Sequence, residues 1–329
     1  MASEKKSVFK RVLIIILVVL TVHSAGSMVA TKLIYDSIFA RYSAETVTPD
    51  PLVSDMVQQR EEMFYPCGEW LLAGYLYRCP REDARDTLVV LAPGFHAGAD
   101  DYLWQIRSLL DKGWSVFAFD PVGSCESAGD SYIGFPQEIL DLDATLNYIE
   151  SSDRFGYSHL ALLGHSRGGY AAGCVLSYGH DVDAVITVSG VNSAMEGIMG
   201  YSTAAIGPLA YGNYGFLWLY QAMLFDARTV NLQAHEQIDQ SNLPALIVHG
   251  GNDKDFPMDK NSIISHREQI ASKQVEYLIC QTPGQDGHTD LLFDPAGGAN
   301  ETLMVQISDF LQKNIQEVEI NGSGFDSGL

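Results

Sequence analysis

The sequence comprises 329 residues, of which 47% are hydrophobic, 10% aromatic and 19% charged. This composition is typical of a globular chain and excludes a disordered one, and a mean hydropathy of +0.02 excludes a polytopic membrane protein. Acidic residues outnumber basic residues by 41 to 20, for a formal net charge of −21. Such a surface repels nucleic acid phosphates and anionic lipid headgroups, so we expect neither as a partner of the folded domain.

The first 42 residues combine a basic start with an apolar run. Four basic side chains precede an apolar stretch, 12–22, and less hydrophobic residues extend it to 30. These 19 residues, at 1.5 Å each, just span about 30 Å of hydrocarbon. The pattern favours an uncleaved signal anchor over 1–42, because apolar helical spacing continues beyond residue 30. The alternatives are a cleaved signal peptide, which the small residues at 24–26 support, and a buried helix.

The basic residues before the apolar run predict the orientation of the chain. Positive charges stay on the cytoplasmic side of a membrane, so the rest of the chain is expected outside the cytoplasm. An anchor therefore predicts a single-pass protein of the cell membrane, and a cleaved signal predicts a secreted protein.

Residues 43–61 are polar, contain two prolines and are predicted to form a linker. Short apolar runs bounded by Gly, Pro or polar residues follow and predict buried strands. Residues 135–150 and 303–311 instead place apolar side chains at helical spacing. The predicted strands are 62–67 and 70–77, which form a hairpin, then 87–92, 115–120, 160–164, 184–189, 245–249 and 275–280. This alternation predicts an α/β fold, with a mostly parallel sheet between helices and an antiparallel hairpin at its start.

Residues 194–243 interrupt the alternation. The segment lies between two strands, is too long for one helix, and is rich in aromatic residues, methionine and glycine. So apolar an insertion is expected to cover another surface, and we predict a lid within a domain spanning 62–316. Residues 317–329 are predicted to be a flexible tail.

The five cysteines do not predict a disulfide framework or a metal site. A hairpin turn near Gly68 would place Cys67 beside the turn and Cys79 about 30 Å along the second strand, too far for a bond. The sequence lacks a C-x-x-C spacing. We interpret the cysteines as packing residues or free thiols.

The most informative segment is Gly164-His165-Ser166-Arg167-Gly168. It has the pattern G-x-S-x-G, follows a predicted strand and precedes a helix-compatible run. A tight strand-to-helix turn exposes the serine Oγ, and side chains at the two glycine positions would collide with neighbouring backbone. This context predicts a nucleophile at Ser166, with an ordinary Gly-Ser turn as the alternative.

With these residues the chain resembles the α/β-hydrolase superfamily over roughly 62–316. Within it, the chain is most similar to exported single-domain esterases, lysophospholipases and serine-aminopeptidase-like proteins. A nucleophilic serine needs a general base oriented by a carboxylate. The resemblance implies the chain order serine, acid, histidine, so both partners should lie downstream of Ser166.

The resemblance implies Asp253 as the acid and His288 as the base. Asp253 occupies the family pattern of a strand followed by H-G-x-x-D and a later proline; Asp255 is the second candidate and Asp226 the third. His288 lies in a glycine-containing loop after the last predicted strand. Of the other histidines, His165 is the variable elbow position and His249 is expected to be buried and structural.

The oxyanion hole requires two backbone N–H donors. Arg167, directly after the serine, supplies one by its position at the elbow. The resemblance implies that Phe95 supplies the other, from the loop after the 87–92 strand. The family usually has His-Gly in that loop where this chain has Pro93-Gly94, which keeps the donor and removes a side chain that braces the loop.

Residues 120–129 resemble the family loop D-x-x-G-x-G-x-S-x-G, with Cys125 in place of a glycine. This loop is expected to pack beside the site, and we assign no chemistry to Cys125.

These features predict a serine hydrolase that cleaves carboxylic esters, with no cofactor and no metal. Its expected partners are a small-molecule ester or acyl substrate and, through the N-terminal helix, a membrane. The alternatives are a serine peptidase or aminopeptidase of the same fold and a catalytically idle surface binding protein. The lid suits an acyl chain and an apolar peptide equally well.

Overall fold

The computed structural model describes residues 2–43 and 51–322. Within these residues eight strands form one mixed sheet in the order β1-β2-β4-β3-β5-β6-β7-β8. The strands are β1 (Glu61–Cys67), β2 (Trp70–Tyr77), β3 (Thr87–Ala92), β4 (Ser115–Phe119), β5 (His159–His165), β6 (Ala184–Val188), β7 (Ala245–Gly250) and β8 (Val275–Cys280). All eight predicted strands are confirmed to within one or two residues at each end.

The sheet is antiparallel at one side only. β1 pairs with β2 across a two-residue turn, in a register that places Cys67 opposite Trp70. β2 pairs with β4 in the antiparallel sense, and the remaining neighbours are parallel. The predicted hairpin and the mostly parallel sheet are therefore confirmed, and the five cysteines are free thiols.

Helices cover both faces of the sheet. In β3, Leu88 and Val90 belong to one core and Val89 and Leu91 to the other, because successive side chains point to opposite faces. The described helices are α1 (Ala2–Ile38), α2 (Pro51–Gln59), α3 (Leu103–Asp111), α4 (Gln137–Glu150), α5 (Arg167–Cys174), α6 (Ala194–Ile206), α7 (Tyr214–Phe225), α8 (Ala227–Val230), α9 (Ala234–Ser241) and α10 (Glu301–Gly322). Side chains of α4, α5 and α9 line the first core, and those of α2, α3 and α10 line the second.

The predicted lid is shorter than expected. Residues 194–225 form α6, a 3₁₀ turn at Gly207–Asn213 and α7, and we call these residues the cap. Beyond it, α9 packs directly on α5, where a Cβ at Gly173 would meet Ala234 at 2.7 Å. Residues 226–243 therefore belong to the layer of helices on the sheet.

The predicted linker 43–61 contains a helix. Residues 44–50 lie outside the described residues, but α2 occupies Pro51–Gln59. Val53 and Met56, three residues apart on one face of α2, are buried in the second core. The amphipathic spacing of this short segment accounts for a helix where a linker was expected.

The chain ends differ in part from the prediction. α10 continues to Gly322, six residues beyond the predicted domain end at 316, because residues 317–320 carry no helix breaker. Residues 323–329 of the predicted tail lie outside the described residues. At the other end, α1 covers residues 2–38 of the predicted anchor, 1–42, and its stretch Ser7–Ile38 is long and apolar enough to cross a membrane.

Candidate active site

Ser166 occupies a strained turn between β5 and α5. Its backbone has φ 55° and ψ −115°, in the region that non-glycine residues rarely adopt. A Cβ at Gly164 would lie 2.1 Å from the carbonyl oxygen of Gly168, and a Cβ at Gly168 would lie 2.1 Å from that of Ala92. The glycine spacing of the motif therefore follows from close backbone packing at the turn.

Three side chains from distant parts of the chain meet at the carboxyl edge of the sheet. His288, in the loop after β8, accepts a hydrogen bond from the Ser166 hydroxyl at its Nε2, 2.8 Å away. Its Nδ1 donates to Oδ2 of Asp253, 2.7 Å away, in the loop after β7. The structure thus brings the predicted nucleophile, base and acid into one chain of hydrogen bonds.

The Asp253 carboxylate is fully buried and held on both oxygens. Its Oδ1 accepts the backbone N–H groups of Asp255 and Phe256, each at 2.9 Å, which leaves Oδ2 for the imidazole of His288. Burial alone would raise the pKa of Asp253, but the hydrogen bond and charge of His288 and the Phe256 N–H lower it below its usual value. Asp253 is therefore an anion that can orient and stabilise an imidazolium.

The two other acid candidates occupy different places. Asp255 is exposed and lines the cavity beside Ser166, with its carboxylate within 4.8 Å of the ligand atoms of Asp253 and His288. Asp226 caps α8 through the N–H and hydroxyl of Thr229. Of these three groups, Asp253 and His288 hydrogen-bond to each other.

The sequence did not indicate a second chain of hydrogen bonds behind the elbow. The His165 Nε2 donates to the carbonyl oxygen of His288 at 3.0 Å, which makes its Nδ1 the acceptor for the Tyr102 hydroxyl at 2.8 Å. The same Tyr102 oxygen accepts the Gly94 N–H at 2.8 Å. Tyr102 therefore braces the loop in which the family's usual histidine is replaced by Pro93.

This second chain depends on a neutral His165. Burial, together with the neighbouring His288, lowers the pKa of His165 to about 3. A neutral imidazole with one donor and one acceptor fits its two partners, whereas an imidazolium would present two donors. His165 was interpreted as the variable elbow position, and the structure shows that it links the loops carrying Gly94 and His288.

The two candidate oxyanion donors flank the serine. Phe95 lines the same cavity as Ser166, and Arg167 follows the serine at the start of α5. Within residues 2–43 and 51–322, no hydrogen bond to another protein group is recorded for either backbone N–H. Both N–H groups are thus available to an oxyanion at this edge.

The side chain of Arg167 forms a buried ion pair. Its Nη2 lies 3.2 Å from Oε2 of Glu138, and both side chains are inaccessible to solvent. The guanidinium lies over the Tyr132 ring, 4.8 Å from its centroid, and 5.8 Å from that of Phe95. Burial raises the pKa of Glu138, and the Arg167 cation opposes that rise. The ion pair therefore links α4 to the first residue of α5 and to the loop of Phe95.

A cavity of about 330 Å³ opens at Ser166, within the usual range for a small-molecule site. Its walls come from the loop after β3, the elbow at Ser166, the loop that carries His288, and the cap. The cap contributes Tyr201, whose ring also packs on Phe95, Phe135 and Phe256. The cap therefore forms part of the wall of the cavity at Ser166.

The loop containing residues 120–129 packs against one wall of this cavity. The Ser124 hydroxyl donates to the carbonyl oxygen of Ala97 at 3.1 Å. Cys125, in the position of a family glycine, takes φ 41°, and a Cβ at Gly98 would lie 2.7 Å from its Sγ. The loop thus supports residues 97–98 beside the candidate oxyanion donor Phe95.

Comparisons with known proteins agree on the fold. A family model described as the α/β hydrolase fold matches residues 87–211. An esterase structure from Pyrococcus furiosus aligns with a TM-score of 0.60 at 18% identity, covering 84% of this chain and 98% of its own. The protein Est1E from Butyrivibrio proteoclasticus, solved with ferulic acid, aligns with a TM-score of 0.56 at 17% identity over 77% and 99% of the two chains.

An esterase from Exiguobacterium antarcticum aligns with a TM-score of 0.52 at 14% identity, over 77% of this chain and 100% of its own. A search of curated proteins finds no match to the sequence. The chain therefore has the α/β-hydrolase fold. At these identities the esterase structures establish the fold alone.

Proposed function

We propose that the protein is a serine hydrolase that cleaves carboxylic esters, with Ser166 as nucleophile, His288 as general base and Asp253 as orienting acid. The observation that carries the proposal is the chain of hydrogen bonds from the Ser166 hydroxyl through His288 to buried Asp253. It faces a cavity of about 330 Å³, and the solved neighbours include esterases.

In the proposed mechanism the Ser166 Oγ attacks the ester carbonyl while His288 Nε2 takes its proton. Asp253 holds the Nδ1–H tautomer of His288 and stabilises the imidazolium that forms. The backbone N–H groups of Phe95 and Arg167 donate hydrogen bonds to the tetrahedral oxyanion, a contribution typically worth about 10²–10³ in rate per donor. His288 then protonates the leaving alcohol, and water repeats the sequence on the acyl-enzyme.

The Phe95 donor is positioned from three sides, which supports its assignment. Tyr102 accepts the N–H of the preceding Gly94, while rings of Tyr132 and Tyr201 pack on the Phe95 ring. A donor that is already oriented costs no reorganisation when the oxyanion develops. The substitution of Pro93 for the family's histidine therefore leaves the loop supported by other groups.

A fluorophosphonate probe tests the nucleophile. The folded full-length protein is expected to form one covalent adduct at Ser166, and Ser166→Ala is expected to abolish it while leaving the thermal unfolding midpoint within a few degrees. The matched control is Ser189→Ala, because Ser189 is also buried at a strand end with positive φ but lies outside the cavity wall. An adduct that persists in Ser166→Ala would overturn the proposal.

A substrate panel separates the ester and peptide candidates. We expect hydrolysis of p-nitrophenyl esters and little hydrolysis of aminoacyl-nitroanilides. The peptidase is retained as the second candidate because the exposed carboxylate of Asp255 lines the cavity, where it would attract a cationic amine. A preference for the nitroanilides that disappears in Asp255→Asn would favour the peptidase over the esterase.

A further inference from the structure

The N-terminal helix and the cap are packed together. At the carboxyl end of α1, Thr31, Tyr35 and Phe39 are fully buried. Thr31 accepts a hydrogen bond from the Asn213 amide at 2.7 Å, and the Tyr35 ring packs edge-on against Tyr220 at 5.0 Å. The predicted anchor is therefore continuous with the catalytic domain through the cap.

The domain also holds the residues that follow α1. The Arg41 guanidinium donates to the carbonyl oxygens of Ser127, Gly129 and Cys125, and Tyr42 exchanges backbone hydrogen bonds with the same loop. The direction of α1 relative to the domain is thus set by these contacts, since no flexible segment intervenes between the helix and its docking site.

The cap extends alongside the part of α1 that would lie in a membrane. Phe216, near the start of α7, contacts the ring of His23 edge-on at 6.5 Å between centroids. His23 lies seven residues before Ala30, the end of the predicted span, which is about 10 Å along a helix. If α1 stands near the membrane normal, Phe216 reaches about 10 Å below the hydrocarbon boundary, the depth at which interfacial helices bind.

The outer surface of the cap suits that position. Leu209 is 80% exposed and Met223 69% exposed, and Ile206, Tyr211, Tyr214 and Leu219 are exposed beside them. The sequence 197–225 contains no Asp, Glu, Lys, Arg or His, in a chain with a net charge of −21. Large exposed apolar patches often mark protein or membrane contact sites, and tyrosine and tryptophan are enriched at membrane interfaces.

We propose that the exposed face of the cap lies in the outer leaflet of the bilayer that α1 crosses. The acidity of the domain opposes general adsorption to anionic headgroups, but residues 197–225 of the cap carry no charge that would oppose insertion. Continuity with α1 selects the bilayer over other apolar partners, because any membrane that receives the helix also meets the residues packed beside it.

This placement identifies the substrate class, an inference that rests on the proposed ester hydrolysis. The helix α6 carries both Tyr201, in the cavity wall, and Ile206, on the exposed face. An ester with an acyl chain dissolved in the leaflet would therefore meet the same helix that forms part of the cavity wall. We infer that the substrate is an ester of a membrane lipid.

Photo-cross-linking tests the placement of the cap without using catalysis. The full chain is reconstituted in phosphatidylcholine vesicles that contain a phosphatidylcholine with a diazirine on one acyl chain, irradiated, and digested for mass spectrometry. We expect adducts on α1 and on cap peptides that contain Leu209 and Met223. Val305 and Tyr277, which are also exposed apolar side chains but lie on α10 and β8, serve as internal controls and should carry none.

The double variant Leu209→Glu/Met223→Glu provides the matched comparison. We expect cap adducts to fall at least about tenfold, because charged side chains are costly in hydrocarbon, while adducts on α1 persist. Adducts confined to α1, or equal labelling of Val305, would overturn the placement. So would protein–protein cross-links through the cap in detergent, since a second copy would then be its partner.

Two activity assays separate the substrate class from the placement. The double variant should retain hydrolysis of soluble p-nitrophenyl acetate and lose about tenfold of its rate on an ester lipid held in vesicles. Equal rates on the vesicle substrate would refute the substrate class even if the cap is cross-linked. Activity that persists in Ser166→Ala with normal cap adducts, by contrast, would refute only the proposed function.

Discussion

The carboxyl edge of the sheet and the cap are built in opposite ways. At the edge, buried polar groups satisfy one another through directed hydrogen bonds, such as those of Asp253 with Phe256 and His288. In the cap, apolar side chains contact α1 through rings and leave Leu209 and Met223 exposed. A hydrogen-bonded site requires fixed geometry, whereas an apolar face needs only an apolar surrounding. The first region therefore suits chemistry, and the second suits contact with lipid.

Of the substitutions at the carboxyl edge of the sheet, replacement of the acid Asp253 should cause the largest loss of activity. In Asp253→Asn the amide would present a donor to His288 Nδ1 and favour the wrong tautomer, so kcat is expected to fall about 10⁴-fold. Steady-state kinetics on a p-nitrophenyl ester measure the loss.

The matched variant is Asp255→Asn, whose carboxylate lines the same cavity but does not bond to the imidazole. It should retain ester hydrolysis to within about tenfold. Equal losses in the two variants would mean that the assignment of Asp253 as the acid is incorrect.

A substitution at the junction between α1 and the domain should give the next largest effect, a loss of stability. Phe39 is 1% exposed and packs on Phe95 and Phe135, so Phe39→Ala should lower the free energy of unfolding by about 3–5 kcal/mol. Denaturation of the full chain in detergent micelles, followed by tryptophan fluorescence, measures the change.

Leu33→Ala, in the helix that directly precedes Phe39, is the control. Leu33 is 65% exposed, so its replacement should change stability by no more than about 0.5 kcal/mol. A small effect of Phe39→Ala would show that α1 is not part of the folded domain.

Acid should weaken the chain of hydrogen bonds through His165. The unfolded imidazole takes up a proton near pH 6.5, whereas burial keeps the folded one neutral to about pH 3. Between pH 6.5 and pH 3, unfolding is therefore accompanied by the uptake of one proton. The contribution of His165 to the free energy of unfolding is fully present above pH 6.5 and falls by about 1.4 kcal/mol for each unit of pH below it.

The variant His165→Gln isolates this contribution. Its amide does not titrate, so the decline of its stability between pH 6 and pH 4.5 should be shallower than that of the unsubstituted protein by about 1.4 kcal/mol per pH unit. Urea denaturation across that pH range measures the stability of both proteins. If their stabilities decline in parallel with pH, the prediction is contradicted.

The smallest expected effect concerns the loop that supports the edge. Cys125 adopts φ 41°, which costs a residue with a Cβ more than it costs glycine, so Cys125→Gly should stabilise the protein by about 0.5–1 kcal/mol. Cys125→Ala removes the thiol and keeps the strain. Cys125→Ala should therefore not increase stability. Thermal unfolding of both variants measures the difference.

The positions of the strands could be predicted because each is a short, continuous apolar run. A buried strand can be predicted from the continuous apolar run Leu88, Val89, Val90 and Leu91. Helices cover both faces of a parallel sheet, so every side chain of such a strand is buried. The elbow around Ser166 could likewise be predicted, because a tight turn leaves no space for side chains at Gly164 and Gly168. These are local constraints, and residues close in sequence express them.

The boundaries of the cap and the linker were predicted less well. Residues 226–243 looked like part of the insertion, but Ala234 and Ile238 face α5. Residues 51–59 were predicted to be part of a linker, although Val53 and Met56 are buried in the second core. In both cases a few apolar residues acquire their role only from the surface they meet, which is distant in the chain.

The sequence by itself determined the alternating strands and helices, the elbow and the order in which its candidate partners follow. Only the tertiary structure decided that Tyr102 and His165 connect the loops behind the elbow, that Arg167 pairs with Glu138, and that α1 packs against the cap. The physical reason is that turns and amphipathic patterns arise from neighbours along the chain. Buried hydrogen bonds, ion pairs and docking surfaces require two segments whose meeting no local pattern encodes.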